Sequence, residues 1–379
     1  IHPGYGFLAE SAEFSSICQE HNITFIGPPA ETINAMGDKS SAKINMENVG
    51  VPVVPGSDGI ITSIEDGKKR AVEIGYPVLL KASAGGGGKG MRIVESQDEF
   101  QHAFETAQNE AEMSFSNGDM YMEKYLLQPR HIEIQILADA HGNVVALGER
   151  ECSIQRRHQK MIEESPSAAV SDDIRQKMCE AAIAGAKSVN YIGAGTIEFL
   201  LDVNNDFYFM EMNTRIQVEH PVTEQVLDAD LVKYQILCHA GIPLPDWMKT
   251  FKLRGHAIEC RINAEDPDKN FRPSPGKITD FHMPGGMGIR VDTHAYAGYI
   301  IPPNYDSMIG KLIVHAPTRK EAINRMIWAL EECVFEGIKT NIPFQLQIMK
   351  DQNFSSGNIH TGFLDTFNYN RTDINEPAG

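Results

Sequence analysis

The stretch TIEFLLDVNNDFYFMEMN, Thr196 to Asn213, consists of two apolar runs separated by a short polar segment. Within that segment, Asn204-Asn205 is suited to a two-residue hairpin loop, because asparagine tolerates the positive φ that such loops require. Each apolar run carries one glutamate, Glu198 in the first and Glu211 in the second. Counting outward from a two-residue loop places these two carboxylates directly opposite each other on one face of the hairpin.

Two carboxylates so placed destabilise a sheet unless a cation lies between them or one of them is protonated. Asn213, two residues beyond Glu211, points to the same side and adds an amide oxygen. Oxygen donors without sulfur or imidazole suit Mg²⁺ or Mn²⁺, so the hairpin predicts a metal site. The alternative is a hairpin at a solvent edge with two exposed glutamates, and a register slip of one residue would remove the pairing.

Length and composition limit the class of protein. The chain has 379 residues, 42% of them hydrophobic, which is enough for two or three folding units. A net charge of -17 argues against a broad nucleic-acid surface. The six scattered cysteines form no CxxC pair and are typical of reduced thiols. With no apolar run near the length of a membrane span and no visible signal peptide, the sequence predicts a cytoplasmic protein that binds neither nucleic acid nor membrane.

Helices and strands are interspersed along the chain, which predicts a mixed α/β or α+β fold. A Pro/Gly-rich segment, VPVVPGSDG at residues 51–59, separates an N-terminal part from a compact unit, and the chain is rich in strands from residue 121 onward. Local patterns predict a strand at residues 23–27, helices beginning at Asp38 and after a Ser63 cap, and further helices at residues 172–190, 223–239 and 318–333.

The stretch KASAGGGGKGMRIVE, residues 81–95, contains glycines at 85–88 and 90, with Lys81 before them and Lys89 among them. Such a run lets backbone N–H groups surround phosphate oxygens. It matches neither the P-loop nor the dinucleotide-binding pattern, because a strand follows it. The run therefore predicts a glycine-rich flap over nucleotide phosphates, and the alternative is a loop that is merely flexible.

Basic residues gather in ECSIQRRHQKMIEE, where Arg156, Arg157, His158 and Lys160 lie close together in an acidic protein. This local reversal of charge favours an anion site, and the alternative is a solvated run of charges.

A second candidate anion site follows the hairpin in EMNTRIQVEHPVTE. If this stretch is extended, Arg215, Gln217 and Glu219 share one face. A guanidinium can hold a small oxyanion, and a nearby carboxylate could act on it as a base. Arg261 lies on a probable strand in ECRINAEDP. Taken singly, each of these arginines is equally typical of an ordinary ion pair.

Taken together and in order, these stretches resemble the biotin carboxylase family over essentially the whole chain, from HPGYGFLAE through ERECSIQRRHQKMIEE to AGYIIPPNYDSMIGKLI. The resemblance implies an ATP-grasp fold. Residues 1–53 would be the remainder of an N-terminal α/β domain with its linker, 54–127 a mobile glycine-rich lid, and 128–379 a C-terminal mixed α/β domain. The first strands and helices of the N-terminal domain are expected to precede Ile1.

The resemblance also implies a reaction. ATP and bicarbonate would form carboxyphosphate, and its CO₂ would pass to N1′ of biotin carried on a biotinylated carrier protein, with a carboxyltransferase as the next partner. The enzyme would be a homodimer, and two Mg²⁺ or Mn²⁺ ions would offset charge during phosphoryl transfer.

By resemblance, residues can be assigned to each ligand. The residues that would contact ATP are Lys39, Lys81, Gly87, Gly88, Glu123, Lys124, Leu126, His131, Gln155, His158, Glu198 and Glu211. Those that would hold the metal ions are Glu198, Glu211 and Asn213. Those that would hold bicarbonate or biotin are Lys160, Arg215, Gln217, Val218, Glu219, Arg261, Tyr5 and Gly6. Within these sets, Glu219 would be the base, and Arg261 would stabilise the enolate-like ureido oxygen, with Lys160 and Arg215 completing the catalytic group.

Three interpretations remain open at this point. The chain is the separate biotin carboxylase subunit of an acetyl-CoA carboxylase, the equivalent domain of a pyruvate, propionyl-CoA or methylcrotonyl-CoA carboxylase, or a catalytically silent ATP-binding module. The lack of an MKM biotin-attachment motif favours the first, and intact catalytic positions argue against the third. A different ATP-grasp ligase is a further alternative, and biotin-dependent turnover would distinguish a biotin carboxylase from it. A nicotinamide oxidoreductase is disfavoured because the glycine run enters a strand.

Overall fold

The computed structural model describes residues 1–57, 59–82, 90–115 and 117–370, apart from the side chains of residues 39, 40 and 115. The chain divides into two compact units. The large unit comprises Ile1–Val51, Arg130–Leu201 and the chain from Met210 onward, and the small unit comprises Pro52–Pro129 and Asp202–Phe209. The small unit thus spans the whole of the predicted lid segment, residues 54–127, and residues 1–51 cluster with the C-terminal part of the chain.

The secondary structure of the described residues mixes helices and strands in every part of the chain. The helices are α1 (Ala12–Glu20), α2 (Ala30–Gly37), α3 (Lys39–Asn48), α4 (Ile64–Ile74), α5 (Phe100–Phe115), α6 (Asp172–Ser188), α7 (His220–Leu227), α8 (Leu231–His239), α9 (Arg319–Glu332), α10 (Ile342–Lys350), α11 (Gln352–Ser356) and α12 (Phe363–Thr366). The strands are β1 (Val78–Ala82), β2 (Met91–Val94), β3 (Met120–Lys124), β4 (Arg130–Ala138), β5 (Val144–Arg156), β6 (Gln159–Ser165), β7 (Gly193–Leu201), β8 (Phe207–Asn213), β9 (His256–Asn263), β10 (Glu265–Asp266), β11 (Arg272–Pro273), β12 (Gly276–Lys277), β13 (Phe281–His282), β14 (Ile289–Thr293), β15 (Ile300–Ile301), β16 (Met308–Ala316) and β17 (Val334–Phe335).

Several helices begin where a side chain can accept from a free backbone amide. The Asp38 carboxylate accepts from the Ser41 N–H at 2.8 Å, the Ser63 hydroxyl accepts from the Asp66 N–H at 3.1 Å, and Thr318 caps α9 in the same way. Each contact satisfies one of the first amides of a helix, which have no partner within the helix itself. The predicted helix starts at Asp38 and after Ser63 are therefore confirmed.

The small unit is built on an antiparallel sheet of order β2-β1-β3, on which α5 packs. Apolar side chains on alternate positions of β1, Val78 and Leu80, join Phe100 and Phe104 of α5 in its core. The segment Asp202–Phe209 belongs to the same unit.

The large unit contains an eight-stranded antiparallel sheet of order β14-β16-β9-β6-β5-β4-β7-β8. Helix α9 packs on one face, where Ile258 and Cys260 of β9 meet Ala322 and Met326. Helix α7 packs on the other face of the sheet. Ala257 contributes to the apolar core there, because it and the neighbouring Ile258 point to opposite sides of β9. Both faces are thus covered, which explains why β4 is buried from its second residue to its last.

Polar side chains lie in this buried sheet. On β4 they occupy alternate positions, with His131, Glu133 and Gln135 interleaved with isoleucines. Because burial of a polar group without a partner is costly, such a row requires bonds to neighbouring strands or to α7.

Two predicted elements differ in the structure. The expected strand at residues 23–27 is not formed, because no strand of the described chain pairs with it. The expected helix at residues 223–239 is two helices, α7 and α8, separated at Asp228, whose φ of 55° cannot continue a right-handed helix.

The predicted two-residue hairpin loop is also wrong. The loop between β7 and β8 has an extra residue, since the Asp202 N–H donates to the Asp206 carbonyl at 2.9 Å and the Asn205 N–H to the Asp202 carbonyl at 3.1 Å. Asn205 takes the left-handed conformation, with φ 66°. The Asp202 carboxylate stabilises this loop by accepting from the backbone of Asn204 and Asp206. The count that placed Glu198 directly opposite Glu211 is therefore out by one residue at the loop.

Among the described residues, no helix combines the length and the apolar character needed to cross a membrane. All six cysteines are free thiols.

Glu164 of β6 joins two distant parts of the large unit. Its carboxylate accepts from His256 Nε2 and from Arg319 Nε, each at 2.6 Å, and Arg319 also donates to the Phe354 carbonyl. Burial by itself would raise the pKa of Glu164, but the bonds from His256 and Arg319 outweigh it and lower this pKa to about 2.

Glu164→Gln is expected to lower the free energy of unfolding by about 3 kcal/mol at pH 7. Because the folded pKa lies below the ordinary value of 4.5, the carboxylate stabilises the protein above about pH 4.5, and this stability is lost as the pH falls towards about 2. Urea unfolding over a pH series should therefore show that the free energy of unfolding falls less steeply at acid pH in the variant than in the unmodified protein. Asp173→Asn, which breaks an exposed pair with Lys177, should change little. An equally steep fall in Glu164→Gln would contradict the prediction.

Candidate active site

One lysine of the large unit donates hydrogen bonds to three buried carboxylates. Lys160 of β6 donates from Nζ to Glu133 Oε2 at 2.6 Å, to Glu198 Oε1 at 2.7 Å and to Glu219 Oε1 at 2.7 Å. Burial alone would lower the pKa of Lys160, but the surrounding carboxylates outweigh it and hold this pKa well above its ordinary value. Lys160 is therefore charged, and all three lysine protons are committed to carboxylates in this state.

Glu219 immediately precedes α7, which carries it onto the sheet. The backbone before it is held by Lys311, whose Nζ donates to the Val218 carbonyl at 2.7 Å. The second carboxylate oxygen of Glu219 accepts from Arg261 Nη2 at 2.9 Å. Burial would raise the pKa of Glu219, but Lys160 and Arg261 outweigh it and lower this pKa well below the ordinary value. Glu219 is thus an ionised carboxylate between two cations, able to accept a proton when a substrate displaces one of them.

Arg261 lies on β9 and is shared between two carboxylates. Its Nε donates to Glu163 Oε1 at 2.6 Å, and its Nη2 donates to Glu219. Its backbone carbonyl accepts from the side chains of Asn341 and Gln345, which fixes this point of the strand. The guanidinium is therefore held in a definite orientation next to Glu219.

Arg215 connects the end of β8 to the N-terminal part of the chain. Its Nε donates to Glu10 Oε2 at 2.9 Å, its Nη1 to Gln217 Oε1 at 2.8 Å and its Nη2 to Asn213 Oδ1 at 3.0 Å. Gln217 in turn donates to Glu198 Oε1 at 3.1 Å. The predicted anion-binding residues Lys160, Arg215, Gln217, Glu219 and Arg261 thus form one connected network.

Sequence reasoning missed several residues of this network, among them Glu10, Glu133, Arg150 and Glu163. Arg150 is fully buried and donates to Glu133, to Gln135 at 2.7 Å, to Thr223 at 2.9 Å and to Thr196 at 3.0 Å. The alternation of polar and apolar residues in RHIEIQILAD could have indicated Glu133 as a buried carboxylate. The identity of its cationic partners depends on strand order, which the local pattern does not contain.

The oxygen donors predicted for a metal ion are partly brought together. The Asn213 amide donates to Glu198 Oε1 at 2.9 Å, which places an amide and a carboxylate side by side. Glu211 is half-buried two residues before Asn213 on the same strand. His131 Nε2 lies 3.0 Å from Glu198 Oε2. Carboxylate and amide oxygens at this edge of the sheet fit a hard divalent cation, and an imidazole alongside is compatible with Mn²⁺ as well as Mg²⁺.

In the small unit, two residues predicted to contact ATP pair with each other. Lys81 of β1 forms an ion pair with Glu123 of β3. Lys124 donates from Nζ to the Gly75 carbonyl at 2.7 Å and to the Tyr76 carbonyl at 3.1 Å, and so secures the end of α4.

The remaining predicted residues lie in several places. Leu126 follows β3 and Gln155 lies on β5, both half-buried, whereas Tyr5 and Gly6 are exposed just before a short 3-10 helix, Phe7–Glu10. The predicted roles of Gly87, Gly88 and the Lys39 side chain concern parts of the chain outside the described residues.

His158 occupies a strained turn. Arg157 and His158 form the two-residue loop between β5 and β6, with Arg156 opposite Gln159 across the hairpin. Their φ angles are 51° and 63°, a left-handed pair that the turn requires but that side chains other than glycine and asparagine disfavour. The turn presents His158 at an exposed position at the end of the sheet.

Arg157→Gly is expected to raise the free energy of unfolding by about 0.5–1 kcal/mol, because glycine adopts positive φ without a Cβ clash. Chemical denaturation would measure the change. The matched control is Gln159→Gly, two residues away on β6, where extended backbone gives glycine no advantage and stability should fall by about 0.5–1 kcal/mol. Equal losses in both variants would show that the turn is not strained.

Three family models match the chain in sequence order. The model of the biotin carboxylase N-terminal domain matches residues 1–33. The model described as carbamoyl-phosphate synthase L chain, ATP binding domain, matches residues 38–247, more than half of the chain. The model of the biotin carboxylase C-terminal domain matches residues 259–366.

Individual relatives agree with these models. The biotin carboxylase of Nostoc sp. is 57% identical over 368 residues, covering 97% of this chain and 82% of that protein. A pyruvate carboxylase subunit of Methanothermobacter thermautotrophicus is 52% identical over 97% of this chain and 74% of that protein. The biotin carboxylase domain of Hydrogenobacter thermophilus 2-oxoglutarate carboxylase, solved as a dimer with MgADP, ADP and bicarbonate, superposes with a TM-score of 0.86 at 51% identity, covering 96% of this chain and 81% of that chain.

This similarity confirms the predicted ATP-grasp architecture and the resemblance on which it was based. It also covers the network around Lys160, whose residues fall within the regions matched by the three models. The chain therefore belongs to the biotin carboxylase family and is an enzyme of the ligase class.

Proposed function

We propose that this enzyme uses ATP and bicarbonate to carboxylate biotin on a carrier protein. The observation that carries the proposal is the position of Glu219, a buried carboxylate held between Lys160 at 2.7 Å and Arg261 at 2.9 Å. This arrangement combines a base with two cations that can hold an oxyanion, as the chemistry of bicarbonate requires.

The predicted anion-binding residues of the network then have roles towards bicarbonate and biotin. Lys160, Arg215 and Gln217 bind the oxygens of bicarbonate together with the backbone of Val218, and Glu219 accepts its proton. Binding of the anion would compete with Glu133 and Glu198 for Lys160, which in this state donates to both. Arg261 remains next to Glu219, with Tyr5 and Gly6 nearby. There it would stabilise negative charge on the ureido oxygen of biotin when the phosphate released from carboxyphosphate takes the N1′ proton.

The nucleotide and metal assignments are part of the same proposal. The Hydrogenobacter domain, 51% identical, was solved with MgADP and bicarbonate, which supports ATP and Mg²⁺ as ligands here. Glu198, Glu211 and Asn213 would hold the metal ions, whose charge offsets that of the phosphates. The residues that would contact ATP are Lys39, Lys81, Gly87, Gly88, Glu123, Lys124, Leu126, His131, Gln155 and His158.

For the downstream reaction, we propose the acetyl-CoA carboxylase role, with a biotinylated carrier protein and a carboxyltransferase as partners, a homodimeric enzyme and a cytoplasmic location. The relative named simply biotin carboxylase, at 57% identity, supports this. A second candidate is a pyruvate or 2-oxoacid carboxylase, because relatives carrying those names are 51–52% identical.

The decisive experiment is to measure ADP release with ATP, Mg²⁺ and bicarbonate, with and without free biotin. A rate that requires bicarbonate and rises with biotin is the expected result. ATP-induced thermal stabilisation without biotin-stimulated turnover would favour a silent nucleotide-binding module. Supplying carboxylated carrier to carboxyltransferases specific for acetyl-CoA, pyruvate or 2-oxoglutarate would then separate the candidate acceptors.

Glu211→Gln is expected to raise the Mg²⁺ concentration needed for half-maximal turnover by at least about tenfold, because removing a ligand charge weakens binding of a hard cation. Turnover measured over a Mg²⁺ titration checks this. Glu180→Gln, on the exposed side of α6, should leave the titration unchanged. Near-normal turnover of Glu211→Gln at moderate Mg²⁺ would refute the metal assignment of Glu211.

A further inference from the structure

Glu163, one of the two carboxylates that hold Arg261, lies directly opposite a second buried glutamate in the sheet. Glu163 of β6 pairs with Glu259 of β9, and the side chains of both are buried completely. Residues opposite each other on antiparallel strands point to the same side, with Cβ atoms about 5 Å apart. Two ionised carboxylates at that separation, both away from water, would repel each other strongly.

The hydrogen bonds of the two carboxyl groups are unequal. Glu163 Oε1 accepts from Arg261 Nε at 2.6 Å, while Glu163 Oε2 has no hydrogen-bond partner among the described residues. For Glu259, neither carboxylate oxygen has a hydrogen-bond partner in the described part of the chain. A buried carboxylate without donors is costly, whereas a neutral carboxylic acid costs much less. The geometry therefore favours a negative charge on Glu163 and a proton on Glu259.

The surroundings are consistent with this assignment. Burial raises the pKa of Glu163 to about 7 and raises that of Glu259 well above the ordinary value, with Lys311 and Arg261 opposing the shift at Glu259. Glu164, the next residue on β6, points to the opposite face, where His256 and Arg319 hold its pKa at about 2. Adjacent glutamates in one strand thus have opposite environments.

Charged and titratable groups on several neighbouring elements interact with the pair. They are Lys160 on β6, Cys260 and Arg261 on β9, Lys311 on β16, Cys152 on β5, Glu219 at the start of α7, and Tyr5 in the N-terminal segment.

We propose that Glu163 and Glu259 share a single proton, carried by Glu259, and that they act as a positioning pair for Arg261. With one negative charge on the pair, the Arg261 guanidinium stays divided between Glu163 and Glu219. A second negative charge would draw Arg261 towards the pair and weaken its contact with Glu219. This inference rests on the proposed function for the role of Arg261 in biotin carboxylation, whereas the shared proton does not depend on it.

The first test is the pH profile of biotin-dependent turnover. Loss of the shared proton at alkaline pH should lower kcat/KM for biotin in the unmodified enzyme. Because Glu259→Gln leaves the pair without a second carboxyl group to ionise, the loss of activity caused by the pair should be absent and the alkaline limb should lie at higher pH by about one unit or more. The matched control is Glu164→Gln, a buried carboxylate one residue along β6 from Glu163 but on the other face, measured where its thermal melt shows it folded. Its alkaline limb should stay in place, and an unmoved limb in Glu259→Gln would overturn the positioning role.

The second test needs no turnover. Infrared spectroscopy at pH 7 should show the C=O absorption of a protonated, buried carboxyl group, lost in Glu259→Gln and retained in Glu164→Gln. Absence of this absorption in the unmodified protein would by itself overturn the shared proton, even if Glu259→Gln failed to fold. If the absorption were present and lost as expected but no biotin-stimulated ADP release occurred, the proton assignment would stand and the proposed function would fail.

Discussion

Glu219→Gln is expected to lower biotin-dependent ATP turnover by about 10²- to 10⁴-fold, the range that a positioned general base contributes. Glutamine keeps the size of the side chain and can still accept from Lys160 or Arg261, but it cannot take a proton from bicarbonate. Lys160 retains Glu133 and Glu198 as partners, and Arg261 retains Glu163, so no buried cation is left alone. The variant should therefore fold, and the loss should fall on kcat.

Steady-state ADP release and a thermal melt would check this expectation together. Glu224→Gln is a matched control, since Glu224 is a buried glutamate of α7 that pairs with Arg290 at 2.6 Å. It should keep turnover close to that of the unmodified enzyme. Turnover of Glu219→Gln within a few-fold of normal would show that another group takes the proton. A collapsed melting curve would instead show that Glu219 serves mainly to hold Lys160 and Arg261 in the folded protein.

Arg150→Met is expected to have the largest effect on stability, a loss of about 3–5 kcal/mol, the usual cost of removing one partner of a buried ion pair. Methionine fills part of the space but leaves the Glu133 carboxylate without its closest guanidinium. It also leaves Gln135, Thr196 and Thr223 without the donor they share. Urea unfolding would measure the loss, and Lys177→Met, which removes an exposed pair on α6, should change stability little.

A double-mutant cycle tests whether this loss of stability comes from the Glu133 carboxylate. If the cost of Arg150→Met comes from an unpaired Glu133, then adding Glu133→Gln should cost less in the Arg150→Met background than in the unmodified protein. Glu133 also accepts from Lys160, so the compensation should be partial. Strictly additive losses would show that Arg150 stabilises the protein through packing and its neutral partners alone.

Much of the fold could be predicted from local patterns, because they depend on neighbours in the chain. The caps at Asp38 and Ser63 mark helix starts through bonds that span three residues. The alternation along β4 set its polar and apolar positions, since side chains of a strand point to opposite faces in turn. The chemistry of Lys160, Arg215, Glu219 and Arg261 could likewise be recognised from residue type and from motif order. These four residues are connected in the structure through Gln217 and Glu198.

Where local signals were weak, the predictions failed. The β7–β8 loop was expected to have two residues, but the Asp202 carboxylate stabilises a longer one. No strand of the described chain pairs with the segment at residues 23–27, and a strand exists only when another strand supplies its hydrogen bonds.

Residue types and local patterns define which side chains are available for chemistry and which elements carry them, because periodicity and capping act over a few residues. Which charges meet depends on the tertiary structure. Lys160 gathers carboxylates from three different segments, Arg215 bonds Glu10 across 205 positions of the chain, and Glu163 faces Glu259 through strand pairing. These contacts depend on strand order and register. Burial and neighbouring charges shift the pKa of Lys160, Glu219, Glu163 and Glu259, so the protonation state of these groups is a property of the folded sheet.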